Sequence, residues 1–158
     1  MILRVATPHD VESVARLWLN SRGGAVQEHR ERALRWFSDE RPRDLQLVVE
    51  YDGEVVGWAR AAYMVPPDDV PPNCVPEGWY LLGMDVAEAA RRRGIGRALT
   101  RARVAWLRER TSRIWYFVRC DNHASIALHA EFGFEEVAND VWFPGKRDEV
   151  RVVLLRVG

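Results

Sequence analysis

The chain has few of the residues that mark several classes of protein. Its only cysteines are Cys74 and Cys120, which lie far apart and are accompanied by no His/Cys cluster at metal-ligand spacing. A disulfide framework and a zinc site are therefore unexpected, both thiols are expected to be reduced, and Cys120, at the end of a buried strand, is expected to be inert. No apolar run approaches about twenty residues and no signal peptide is recognisable. We expect a cytoplasmic protein that does not enter a membrane.

An excess of charge is also absent. Lys and Arg together number 23, as do Asp and Glu, although only Lys146 among the cations is lysine. A balanced chain has no overall field to attract nucleic acid, so we expect no nucleic-acid partner. A length of 158 residues with 47% hydrophobic and 29% charged residues is ordinary for one globular unit. We predict a single domain spanning residues 1–158.

Apolar periodicity and turn signals predict a chain of mixed α and β structure. Thr7, Pro8 and Asp10 predict a helix start, Asp52-Gly53 predicts a two-residue hairpin turn, and residues 144–147 predict the turn of a closing hairpin. The second helix is rich in charge and has few apolar residues, and five prolines between residues 66 and 76 predict a long surface loop. Strand, helix and strand over 79–120 predict a right-handed unit with parallel strands. The predicted strands are 2–6, 45–51, 54–64, 79–86, 113–120, 134–143 and 149–157, and the predicted helices are 8–22, 26–37, 94–110 and a short one from Asn122 to Gly133.

A glycine turn joins the strand over 79–86 to the long helix. Gly94 and Gly96 allow close approach to the backbone at the positive end of a helix dipole, where phosphate binds. Arginines 91, 92, 93 and 97 add charge there. The alternative is a helix whose first turn contains glycine beside a solvated basic run. A dinucleotide-binding loop is disfavoured, because it needs a third glycine and an acid about twenty residues further on.

The spacing of Arg91, Gly94 and Gly96 resembles the acyl-CoA pyrophosphate loop of the GNAT superfamily of N-acetyltransferases. Glu88 and Arg92 depart from its commonest form, which has proline and glycine there. A second stretch, Asn-x-x-Ser-x-x-Leu-His-x-x-x-Gly-Phe over 122–134, resembles the other GNAT signature at every marked position. The two motifs occur in the order and at the separation typical of that superfamily.

The resemblance implies an α/β fold with a mixed sheet of about seven strands and about four helices, split between strands four and five. Acyl-CoA would lie in the split, with acetyl-CoA as cosubstrate and no metal. Backbone groups of the loop would hold the pyrophosphate, strand four would pair with the pantetheine arm, and Asn122 would hydrogen-bond it, unless Asn122 is simply a helix N-cap. The residues implied for the cofactor are Met84, Val86, Arg91, Arg92, Arg93, Gly94, Ile95, Gly96, Arg97, Asn122 and Ser125.

Two residues are candidates for proton transfer. Acetylation needs a neutral amine, and Asp85 on strand four could take its proton directly or through water. Alternatively Asp85 points away and caps a backbone group. His129 stands where many relatives carry a tyrosine thought to protonate the departing thiolate, so it is either that acid or a structural residue.

The acceptor is a small-molecule amine, and an aminoglycoside acetylated on its 6′ amine is the favoured hypothesis. A polycation needs carboxylates around its site, and the proline-rich loop carries Asp68, Asp69 and Glu77. Trp79 and Tyr80 would form walls of that site. Other small amines, polyamines and protein N-termini remain alternatives, as does a catalytically silent acyl-CoA-binding domain. In the superfamily the first two helices cover the acceptor site, so the charged second helix is either a lid or a solvated surface. The superfamily also suggests a homodimer.

Overall fold

The computed structural model describes residues 1–38, 43–145 and 151–158. Two short 3₁₀ turns, Pro8–Asp10 and Glu88–Ala90, precede α1 and α3 respectively. The elements in chain order are β1 Ile2–Val5, α1 Val11–Arg22, α2 Val26–Trp36, β2 Asp44–Tyr51, β3 Glu54–Met64, β4 Gly78–Val86, α3 Ile95–Arg108, β5 Ile114–Arg119, α4 His123–Ala130, β6 Glu135–Asn139 and β7 Val152–Val157.

The seven strands form one mixed sheet in the order β1-β2-β3-β4-β5-β7-β6. Strand β4 pairs with β5 in parallel, whereas β1 pairs with β2, and β7 with both β5 and β6, in antiparallel. The α/β fold class expected from the sequence is confirmed. The chain divides into two compact units, residues 1–61 with 83–103 and residues 62–82 with 104–158. The single domain stays a prediction.

The first unit begins with a hairpin that the sequence predicted. Strands β2 and β3 are neighbours in the sheet, and the turn between them places Asp52 at φ 51° and Gly53 at φ 81°. Two successive positive φ angles are what a two-residue hairpin turn requires. Thr7 caps the predicted helix start, since its N–H donates to Asp10 Oδ2 at 2.7 Å, but the first turn Pro8–Asp10 is 3₁₀ and α1 begins only at Val11. The Arg4 guanidinium holds the pKa of that carboxyl below its usual range.

Helices α1 and α2 bury their apolar faces in a cluster with β2 and β3. Helix α2 contributes little to it, with only His29 and Ala33 buried within its bounds, while Leu34 is 54% exposed. This is what its charged sequence predicted. The buried members of the cluster are Val11, Val14, Leu17, Trp18, Ala33, Phe37, Val48 and Trp58.

Gly57 allows α3 to pack closely against β3. A Cβ on this residue would lie 2.9 Å from Ile95 Cγ2, closer than carbon atoms tolerate. Ile95 opens α3 and is 2% exposed, so the absence of a side chain at 57 lets the first turn of the helix lie directly on the strand. The sequence analysis did not single out this glycine.

In the second unit the closing strands are shorter than predicted. Strand β6 ends at Asn139 and not at Phe143, because Asp140 takes φ 54° and turns the chain away. Trp142 then pairs with the proline-rich loop: its N–H donates to Asn73 O at 2.9 Å and its carbonyl accepts from the Val75 N–H at 2.8 Å. That loop is irregular as predicted, but Val75 is 1% exposed, so its second half is packed and not a free surface. The turn predicted at Lys146 and Arg147 lies outside the described residues.

Candidate functional site

The loop between β4 and α3 forms a backbone concavity. Arg92 adopts φ 62° and Gly94 φ 78°, and the first helical hydrogen bond runs from the Ala98 N–H to the Gly94 carbonyl at 2.9 Å. Helix geometry therefore gives the N–H groups of Ile95 and Gly96 no acceptor within the helix. Positive φ angles close to a helix N-terminus turn successive N–H groups toward one point, where an anion binds.

Four arginines surround this concavity, and all four are exposed. Arg91 Nε donates to the Val86 carbonyl at 3.3 Å, which ties the loop to the end of β4, and the Arg93 guanidinium lies 5.1 Å from the centre of the Tyr51 ring. The charge of these side chains, with the helix dipole, suits a diphosphate group. The four are Arg91, Arg92, Arg93 and Arg97.

Gly94 is exposed and its surroundings are open. A Cβ built on it would meet no atom within 4 Å, so space within the protein does not require glycine here. Its φ of 78° does, because an L side chain is strained in that region. Any side chain at 94 would also project into the open space that an anion has to enter.

Two neighbouring residues near the end of β4, Met84 and Asp85, point to opposite faces of the strand. The Met84 sulfur lies 3.6 Å from Arg103 Nη2 and 3.9 Å from Thr100 Oγ1, both on α3. Asp85, the next residue, points to the opposite face, toward α1. In the second unit the register of β4 with β5 comprises Tyr80 and Leu81, although β4 continues to Val86. Met84 and Val86 are outside that register.

Asp85 is held by two side chains of α1. Ser21 Oγ donates to its Oδ1 at 2.7 Å, and Arg22 Nη2 forms an ion pair with its Oδ2. The Asp85 side chain is 11% exposed. From the sequence, Asp85 was expected to be either a free base or a carboxylate that caps a backbone group. The structure shows neither, because both carboxylate oxygens bond to side chains. Its predicted catalytic role stays a prediction.

His129 in the second unit is 1% exposed. Its Nδ1 lies 2.7 Å from the Ser125 carbonyl, and its ring stacks on Tyr116 with centroids 3.8 Å apart. Ser125 is also engaged, because its hydroxyl hydrogen-bonds the Tyr116 hydroxyl. Burial and stacking of this kind favour the structural alternative, and the role of His129 as the acid stays a prediction.

Asn122 is the N-cap of α4. Its Oδ1 accepts a hydrogen bond from the Ser125 N–H at 3.2 Å, as the simple capping alternative required. The residue is exposed. Capping uses the side-chain oxygen alone, so a further role for the amide NH₂ toward a cofactor stays a prediction.

The residues predicted to bind the acceptor have different surroundings. Asp68 and Asp69 are exposed, and Glu77 accepts a hydrogen bond from the Tyr63 hydroxyl at 2.7 Å. Trp79 is partly buried and packs edge-on against Tyr63 and Trp106. These placements leave a binding role open for all four, which stays a prediction.

Tyr80 is a correction. It is fully buried, its hydroxyl donates to the Pro76 carbonyl, and burial raises the pKa of the phenol well above its usual value. Successive residues of a strand point to opposite faces, so Trp79 and Tyr80 do not share one wall. Tyr80 packs instead in a core cluster with Val75, Val141, Val152 and Leu154.

Metal chemistry and membrane insertion have no structural support. Across residues 1–38, 43–145 and 151–158, no group of three or more His, Cys, Asp or Glu side chains could hold a metal ion. Within the same ranges, every helix is too short or too polar to cross a membrane.

Comparison with known proteins decides the family. The pattern of the Acetyltransferase (GNAT) family matches residues 11–134. The chain belongs to the GNAT acetyltransferase family. It is therefore an acyltransferase enzyme, and proteins of this family use acetyl-CoA.

Two curated relatives of this GNAT enzyme have named activities. An aminoglycoside N(6')-acetyltransferase type 1 of Klebsiella aerogenes is 32% identical over 131 residues, covering 77% of this chain and 83% of the relative. A mycothiol acetyltransferase of Geodermatophilus obscurus is 31% identical over 132 residues, covering 78% of this chain but only 42% of that protein.

Among solved structures, a ribosomal-protein-alanine N-acetyltransferase from Brucella melitensis superposes with a TM-score of 0.73 at 23% identity. The match covers 99% of this chain and 98% of that structure. At that identity the likeness shows the shared fold and does not bear on the acceptor.

The sequence analysis missed Ser21, Arg22 and Gly83. The first two sit at the end of α1 and reach Asp85 across 64 and 63 residues of chain. Gly83 precedes Met84, and a Cβ on it would lie 2.8 Å from the Trp58 ring. The only local sequence signal near these residues was Arg22-Gly23-Gly24, which predicts the end of α1 but not that Asp85 lies next to it.

Proposed function

We propose that this enzyme transfers the acetyl group of acetyl-CoA to a primary amine of an aminoglycoside, on the 6′ position, by direct attack within a ternary complex. The observation that carries the transfer is the exposed concavity at residues 91–97, which follows strand β4, whose last residues are outside its register with β5. The acceptor is supported by the relative of 32% identity, which acts on aminoglycosides by name.

The residues present fit acetyl-CoA. The positive φ angles at Arg92 and Gly94, the helix N-terminus at Ile95 and the exposed arginines suit the diphosphate. The backbone of Met84 and Val86 would pair with the pantetheine arm as a neighbouring strand does. Acetyl-CoA supplies the acetyl thioester, whose C–S bond breaks as the amine nitrogen forms the new C–N bond.

Within the first unit, Asp85 is the group proposed to meet the amine. A carboxylate at this point can hold the ammonium form and then take its proton, directly or through a water molecule. Solvent can supply the proton that the departing thiolate takes up, so we assign no part in that step to the buried His129. Asp85→Asn should lower kcat more than it weakens acetyl-CoA binding.

The test is a kinetic panel that follows release of free thiol. Kanamycin-type substrates with a 6′ amine are compared with analogues carrying a 6′ hydroxyl, and with a peptide that begins with alanine. We expect turnover only where the 6′ amine is present. Equal rates with amine and hydroxyl analogues would contradict the 6′ position, and turnover of the peptide alone would contradict the aminoglycoside. Acetyl-CoA binding with no turnover of any amine would indicate a catalytically silent domain.

A further inference from the structure

The guanidinium of Arg22 lies in a site built for an organic cation. Its central carbon is 5.2 Å from the centre of the Trp18 ring and 5.4 Å from that of Trp58, within the range of a cation–π interaction. The same group forms the ion pair with Asp85, whose second oxygen accepts from Ser21. One carboxylate and two indole rings thus contact a single positive charge, and one hydroxyl bonds the carboxylate.

Gly83 makes room for the Trp58 ring on which that charge lies. A Cβ at this position would lie 2.8 Å from the Trp58 ring, closer than carbon atoms tolerate, and 3.5 Å from Arg22 Nη2, an ordinary contact distance. The absence of a side chain at 83 therefore lets Trp58 pack directly on β4 beside the guanidinium.

Arg22 is the exposed member of this group. It is the last residue of α1, and its side chain is 33% exposed, whereas Trp18 is 0% and Trp58 1% exposed. Gly23 and Gly24 follow with φ 70° and 83°, so the helix ends directly after the arginine. Rotation of the Arg22 side chain would free the Asp85 oxygen with which it now pairs.

We propose that Arg22 is an internal occupant of the site that receives the ammonium group of the acceptor, and that it determines acceptor selectivity. The acceptor's cation takes the place of the guanidinium beside Asp85, over Trp18 and Trp58. An amine must then displace an existing ion pair, which disfavours weakly bound monoamines and raises the acceptor KM. This inference rests on the proposed transfer to an amine but not on which amine is acetylated.

A purely structural role for Arg22 makes a different prediction. If the arginine only ties α1 to β4, its removal leaves a destabilised protein with an unpaired carboxylate and no affinity for small cations. If it is an occupant, its removal creates a binding site. The distinguishing measurement is therefore the gain of binding, and it does not depend on turnover.

The experiment titrates methylguanidinium chloride, and separately methylammonium chloride, into the full chain by calorimetry. The variants are Arg22→Ala, Arg22→Met, which keeps an apolar stem over the rings, and Arg22→Ala with Asp85→Asn. Arg16→Ala is the control, because Arg16 is an exposed arginine on the same helix. Circular dichroism establishes that each variant is folded.

We expect both single Arg22 variants to bind methylguanidinium at least about tenfold more tightly than the unaltered chain and the Arg16 control, as a vacated cation site would. The double variant should lose that gain. With an acetylated amine, Arg22→Ala should lower the acceptor KM and leave the acetyl-CoA KM unchanged.

Three results would overturn the proposal: folded Arg22 variants that bind neither cation, a gain that survives Asp85→Asn, or unfolding of both Arg22 variants. The two proposals fail separately. Cation binding by Arg22→Ala without acetylation of any aminoglycoside would contradict the acceptor alone. Aminoglycoside acetylation without any gain of cation binding would contradict the role of Arg22 alone.

Discussion

The loop at 91–97 and the helix α4 stretch at 122–134 both resemble family signatures, yet their side chains have different surroundings. The arginines and Gly94 of the loop are exposed. In the α4 stretch, Asn122 caps the helix, Ser125 bonds Tyr116, and His129 is 1% exposed. A spacing shared with a family therefore falls on an exposed loop in one case and largely on internal packing in the other.

Replacement of His129 should give the largest effect if α4 is a packing unit. His129→Ala removes a buried stacked ring and the contact of Nδ1 with the Ser125 carbonyl. We expect the free energy of unfolding to fall by about 3 kcal/mol, the usual cost of emptying a buried aromatic site. Urea denaturation measures it.

His129→Phe is the matched control for this prediction. It keeps the ring and loses only the polar contact, so we expect it to recover most of the lost stability, with a remaining deficit of about 1 kcal/mol. The rate of thiol release by the folded Phe variant should equal that of the unaltered enzyme. Normal stability combined with a collapse of turnover would restore His129 as the acid.

Gly94→Val tests the loop as a binding surface. The side chain strains the positive φ and enters the open concavity, so we expect acetyl-CoA affinity to fall at least about tenfold, equivalent to 1.4 kcal/mol. Stability should also fall, by about 1–2 kcal/mol. Calorimetric titration with acetyl-CoA measures the first effect.

Gly53→Val provides the control, because Gly53 has φ 81° and equally open surroundings in the β2–β3 turn. Gly53→Val should lose about as much stability as Gly94→Val and should bind acetyl-CoA with unchanged affinity. A Gly94 variant that binds as tightly as the Gly53 variant would remove the loop from the cofactor site.

Two substitutions of Asn122 distinguish helix capping from cofactor binding in the α4 stretch. Asn122→Ala should cost about 1 kcal/mol through loss of the N-cap. Asn122→Asp keeps an acceptor for the Ser125 N–H and loses the amide donors, so it should restore stability. If acetyl-CoA affinity is normal in the Asp variant, capping is the whole role of Asn122, and a weakened affinity would instead support the predicted contact with the pantetheine arm.

The smallest expected effect concerns Arg92, a non-glycine residue at φ 62° where the family commonly has glycine. Arg92→Gly should relieve backbone strain and raise the thermal midpoint of unfolding. Glycine also increases the entropy of the unfolded chain, so the net gain in the free energy of unfolding should be below about 1 kcal/mol. Arg93→Gly removes the same charge from a residue without positive φ and should lower stability. Equal changes in the two variants would show that Arg92 is not strained.

Local sequence signals were enough for most of the elements and for the loop at 91–97. The hairpin turn at Asp52 and Gly53, the capped turn after Thr7 and the glycine turn before α3 all depend on the φ angles and hydrogen bonds of a few adjacent residues. Such preferences act over one turn and are legible in the order of residues. The strand ending near Phe143 was misjudged because Trp142 pairs with Asn73 and Val75, which are distant in sequence.

The sequence by itself determined the order of helices and strands, the exposed arginine and glycine loop, and the family. Only the tertiary structure decided that Arg22 pairs with Asp85, that Gly57 admits Ile95, and that His129 is buried. The reason is physical: helix and strand periodicity records which face of an element is apolar, but not which other element covers it. The surroundings of a carboxylate or an imidazole depend on residues brought close by the fold, and those residues decide whether the group packs, pairs or reacts.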